Sequence, residues 1–162
     1  MALTSGQMAT LKAYILADST LNAQPNTNVG NSVIAGVLNS VALPDFTLWR
    51  TNVGSNEIGN AWLVTDIDGM SALNMQRLQL LLASSPSGVF DMTRADRRAG
   101  FENPFGANVN NGSRVAMRAV WKRLALVIEK LFATGTGSSA DPAIPTREGT
   151  ITPDEIEQAR SS

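Results

Sequence analysis

Apolar side chains recur every three or four positions in several separated runs, a spacing that predicts a mainly helical protein. In the first run, Thr4 with Gln7 three residues on reads as a capping box, and Met8, Leu11, Ile15 and Leu16 form the inward stripe to about Asp18. A Pro/Asn/Gly loop leads to a short apolar helix over 31–40 with Val33, Ile34, Val37 and Leu38 inward, stopped by Pro44. The stretch "DFTLWRTNV" alternates Phe46, Leu48 and Arg50, as a short strand or extended link would. Ser55 then caps a segment that buries Ile58, Trp62 and Leu63. Ser71 caps a clearer helix with Leu73, Leu78, Leu81 and Leu82 as its stripe, and Thr93 caps a fifth that ends at Pro104.

The longest run follows the loop "GANVNNGS". Met117, Val120, Trp121, Leu124, Val127, Ile128, Leu131 and Phe132 keep the three-four spacing, which predicts one long core helix over 113–133 with Gly135 as its C-cap. Beyond it the pattern is lost. "GTGSSADPAIPT" reads as a hinge, "EGTIT" as an extended piece, and Thr152-Pro153-Asp154-Glu155 as a helix start carrying only Ile156 and Ala159 as apolar contacts. A helix that short is marginal alone, so it needs a partner. The predicted architecture is therefore a mainly α bundle around one long C-terminal core helix. It divides into a helical domain, 1–134, and a flexible docking arm, 135–162, whose contact residues are Ile144, Pro145, Ile151 and Ile156.

Composition limits the chemistry. The 162 residues suit one domain with an extension. No apolar run reaches ~18 residues, and the N-terminal sequence has no basic segment ahead of an apolar one, so neither a membrane span nor a signal peptide is expected. The chain has no Cys and no His, which rules out disulfides, thiolate metal sites and Ser/His or Cys/His catalysis. No acid pair stands in a catalytic motif. Asp66 and Asp68 fail the EF-hand spacing because the sixth position is Ser71 and the twelfth Arg77. "GTGSS" lacks the lysine of a phosphate loop. The expectation is a non-enzymatic protein with no cofactor and no metal. Trp49, Trp62 and Trp121 sit in apolar patterns and read as core.

Net charge is −1, yet Asp91 to Ala133 carries eight basic residues against four acidic ones. On one long helix Arg114, Arg118 and Lys122 would share a face, either solvated, paired with a neighbouring subunit, or tracking DNA phosphates.

The phrases "MALTSGQMATLKAYILADSTLNAQP", "FTLWRTNV", "EKLFATGTGSSADPA" and "EGTIT" make the chain resemble small virion proteins of tailed bacteriophages. Among these the size and layout are most like a head-to-tail connector, also called an adaptor or head-completion protein. That resemblance implies a structural protein of the head-tail junction, made in the host cytoplasm. It would form a ring beneath the portal, extend the DNA channel and receive the tail. The implied partners are the portal protein, neighbouring copies, tail or head-closure proteins, and packaged DNA through non-specific contact. The alternatives are a capsid-decorating or tail-associated virion protein and a DNA-binding packaging module.

Overall fold

The computed structural model describes residues 3–162, in which ten α-helices alternate with short strands. In chain order they are α1 (Ser5–Ala17), α2 (Ser19–Asn22), α3 (Asn28–Leu38), β1 (Thr47–Trp49), β2 (Val53–Gly54), α4 (Ser55–Asn60), α5 (Val64–Asp68) and α6 (Ala72–Ala83). There follow β3 (Val89–Phe90), α7 (Ala95–Glu102), a 3₁₀ turn (Asn103–Phe105), α8 (Gly112–Val120), β4 (Lys122–Leu124), α9 (Val127–Leu131), β5 (Ala133–Thr134), β6 (Ile144–Pro145) and α10 (Pro153–Ser161). Among the described residues, no helix is long and apolar enough to cross a membrane.

The chain folds as two compact units. Unit 1 combines residues up to Leu48 with Leu124–Ser162, and unit 2 is the continuous segment Trp49–Arg123. The core of unit 1 joins Leu11 and Ile15 of α1, Ile34 and Leu38 of α3, Ile128 of α9, and Ile151, Ile156 and Ala159 near the C-terminus. A smaller cluster of Leu48, Ala125 and Ala143 lies beside Phe46 and Ala133. Within this unit β5 pairs antiparallel with β6, Ala133 opposite Pro145 and Thr134 opposite Ile144. Unit 2 packs its short helices around Trp121, Phe90, Phe101, Met92 and Met117. Phe90 and Phe101 meet edge to face at 5.2 Å, a geometry the ring quadrupoles favour. Here β2 pairs antiparallel with β3, Val53 opposite Phe90.

The expectation of a mainly α bundle built on one long C-terminal helix is wrong: the fold is mixed, with small antiparallel pairs, and the longest helix is α1 at 13 residues. The 113–133 run breaks after Val120. The Trp121 N–H closes α8 on Met117 and Ala119, residues 122–124 extend as β4, and the Ala125 N–H donates to the Phe46 carbonyl at 2.8 Å. A new helix starts at Val127, where the Glu129 carboxylate accepts the Leu126 N–H at 2.9 Å. The apolar spacing is real but serves three clusters in turn: Trp121 enters the core of unit 2, Ala125 the small cluster, and Ile128 and Phe132 the core of unit 1. Periodicity alone does not say that successive apolar residues face the same core.

The expected extended arm is likewise corrected. α10 packs against α1 and α3, and it buries Ile156 and Ala159 completely. The expected hinge is also packed: Gly137 has φ +67°, and a Cβ there would lie 2.2 Å from the Phe46 ring, so both the backbone and the space demand glycine. α3 differs in its orientation. Ile34 and Leu38 are buried as expected, but Val33 and Val37 point outward. At Thr93 the hydroxyl bonds Asp91, and α7 begins later, after Arg94.

Candidate functional site

Three surfaces follow from the residues singled out. The first is the C-terminal segment. Asn39, the residue that ends α3, clamps the backbone of Ile151 from both sides, its amide donating to the Ile151 carbonyl at 2.9 Å and its oxygen accepting the Ile151 N–H at 2.8 Å. Glu129 accepts the Gly149 N–H at 2.7 Å, so one buried carboxylate starts α9 and fastens the segment. Arg147 bonds Glu155 at 2.9 Å. Glu155 also completes the capping box with Thr152. Burial pushes the Glu155 carboxyl up, but the Thr152 backbone bond and the Arg147 charge outweigh it and hold the pKa below its ordinary value. Arg160 reaches back to the Asn31 side-chain oxygen at 2.9 Å and the Gln24 carbonyl at 2.7 Å. Of the four predicted docking residues, Ile151 and Ile156 are core, Pro145 is half-buried, and Ile144 is 44% exposed.

The second surface is the basic one. Because the long helix is broken, Lys122 lies in β4 and shares no helix face with Arg114 and Arg118. Those two converge on Glu102 of α7, Arg114 at 2.7 Å and Arg118 at 2.6 Å. Arg114 also donates to the Gly106 carbonyl at 2.6 Å. Burial pushes the Glu102 carboxyl up, but hydrogen bonds from Arg118 and Arg114 win, and its pKa falls below the usual value. The Arg98 guanidinium stacks 4.0 Å from the centre of the Trp49 ring, with the Lys122 ammonium 5.9 Å from the same ring. Burial, followed by the charge of Arg118, lowers the Lys122 pKa. The predicted phosphate-tracking stripe is thus two arginines bound to an internal acid and a lysine beside an aromatic ring.

Asp66, weighed above as a calcium ligand, instead accepts the Ser113 N–H at 2.9 Å and the Ser113 hydroxyl at 2.7 Å, holding the start of α8. Those bonds, the hydroxyl first, lower its pKa. Among the described residues no group of three or more His, Cys, Asp or Glu is placed to hold a metal ion.

The third surface was missed by the sequence reading. Val29, Val33 and Val37, on successive turns of α3, are 76%, 48% and 43% exposed. Val41 and Leu43 continue the apolar surface past the helix end. Its signal was present in the sequence, since no residue from Ser19 to Pro44 is charged. In unit 2 a groove of about 370 Å³ is lined by Arg77, Leu80, Leu81, Gly100, Asn103 and Pro104. Exposed apolar patches of this kind mark protein contacts more often than catalytic sites. The units also differ in charge. Unit 2 holds nine Lys and Arg against six Asp and Glu, a net +3, and unit 1 holds four against eight, a net −4. In comparisons with known proteins, no family model, no curated protein and no solved structure matches the chain.

Proposed function

We propose that the chain is a structural protein of a tailed-phage virion, acting as a head-to-tail connector or adaptor whose copies form a ring beneath the portal, extend the DNA channel and receive the tail. The virion assignment comes from the resemblance described above. The structural observation that supports it is the opposite charge of the two units, +3 and −4. Opposite charges on one chain attract successive copies head to tail, and such a contact, repeated around an axis, closes a ring.

Docking on the portal then falls to exposed residues such as Ile144, while Ile151 and Ile156 hold the segment to its own unit. The pairing of Arg114 and Arg118 with Glu102 makes contact with packaged DNA a minor part of the role. A map of purified particles provides the test. Density for this chain in a ring at the head-tail junction supports the reading. Density on the capsid surface or along the tail replaces it with a decorating or tail role, and absence from particles ends it. In parallel, purified protein at low salt is expected to form multi-copy species that dissociate as salt rises, because exposed charges are screened.

A further inference from the structure

From the outer face of α3 we infer a two-fold contact between two copies of this chain, helix against helix. The face has two parallel rows. Val29, Val33 and Val37 form a ridge at four-residue spacing, and Ser32, Gly36 and Ser40 form a row of small residues at the same spacing beside it, all exposed. A Cβ built at Gly36 meets nothing within 4 Å, so that row is an open groove.

Three properties select a second copy as the occupant. First, ridge and groove lie side by side with equal spacing, so a two-fold axis sets each valine ridge in the groove of the other helix. Rows of i, i+4 side chains that interdigitate cross at about −50°, and small residues allow close backbone approach. Second, no charged residue lies between Ser19 and Pro44, so a copy meets its twin without like-charge repulsion. Third, the polar groups on the face are already satisfied: the Ser32 hydroxyl donates to the Asn28 carbonyl and the Ser40 hydroxyl to the Val37 carbonyl, each at 2.7 Å. Their desolvation leaves no orphaned donor. A two-fold contact is self-limiting and yields a dimer. It is independent of the head-to-tail contact and of the virion assignment.

The test is the mass of the purified protein across a concentration series, by light scattering or sedimentation, for the natural chain, Val33→Glu and Gly36→Leu. The natural chain is expected to approach twice its own mass, and each variant to weaken association at least ~30-fold, as loss of a central contact residue does. Gly36→Leu is the sharper variant. It fills open space and replaces a helical glycine, so the subunit is expected to be at least as stable in thermal unfolding while losing its partner. A second measurement does not depend on how those variants fold. Since the chain has no cysteine, Val33→Cys and Gly36→Cys are clean probes, and at least one is expected to form a chain-to-chain disulfide on mild oxidation much faster than Leu80→Cys of unit 2. A natural chain that stays monomeric throughout overturns the inference. So does an assembly that both α3 variants leave intact, although that result leaves the head-to-tail ring standing. Equal cross-linking at Leu80 overturns it too.

Discussion

Unit 1 and unit 2 are built from opposite strategies. Unit 2 is one continuous stretch whose core brings together Phe90, Phe101, Met117 and Trp121, and its buried ion pairs join neighbouring elements, α7 to α8 through Glu102. Unit 1 is assembled from the two ends of the chain. Leu11, Ile15 and Ile34 bury their side chains against Ile151, Ile156 and Ala159, residues more than a hundred positions away. The difference teaches that the C-terminal segment is a structural part of unit 1, since without it α1 and α3 expose the faces that Ile156 and Ala159 cover. Long-range closure of this kind costs chain entropy, which the segment's polar clamps and buried side chains must offset together.

The contrast can be broken optically, because Trp49, Trp62 and Trp121 all lie in unit 2 and Tyr14 lies in unit 1. The largest effect is expected from deleting residues 147–162: helical dichroism and the Tyr14 signal of unit 1 should be lost while tryptophan emission of unit 2 stays native. Simultaneous loss of both signals would show that the two units do not stand apart. Next, Ile156→Ala is expected to destabilise unit 1 by about 2–5 kcal/mol, through lost burial and the cavity it leaves, with the tryptophan transition little moved. Glu102→Ala reverses the roles. It leaves Arg114 without its acid, at a cost of about 3 kcal/mol to unit 2 in denaturant titrations followed by tryptophan.

The same carboxylate gives a pH test. Its folded pKa lies below the ordinary value of 4.5, so its contribution is present above that value and is lost as pH falls through the lower folded one. Acid unfolding followed by tryptophan should therefore set in below about pH 4.5, and Glu102→Gln should lose this part of the pH dependence. The smallest effects belong to the clamps of unit 1. Asn39→Ala should cost about 1–3 kcal/mol for two lost backbone bonds, and Thr152→Ala about 1 kcal/mol for its cap.

What was legible in the sequence was local. Thr4 with Gln7, Ser71, and Thr152 with Glu155 cap the helices they were expected to cap, because a cap is decided within four residues. The long helix was not legible, since the run from Met117 to Phe132 fits one stripe as well as three clusters, and only the pairing of Ala125 with Phe46 breaks it. Nor was the fate of the tail, because the Asn39 side chain and the backbone it clamps are 112 positions apart. Val33 and Val37 were misread as core because an apolar residue on a helix says nothing about whether a neighbour covers it. At the candidate surfaces, the sequence located the basic residues but not Glu102, the acid that absorbs two of them.

The claim that the C-terminal segment belongs to the fold of unit 1 is tested most directly by hydrogen exchange on the isolated subunit. The Ile151 amide, held by the Asn39 side chain, and the Ile156 amide, held by the Thr152 carbonyl, should be protected to the same degree as the amides of α1 and α3. Exchange of both at the rate of an unfolded peptide, with α1 and α3 still protected, would contradict the account and restore a free arm.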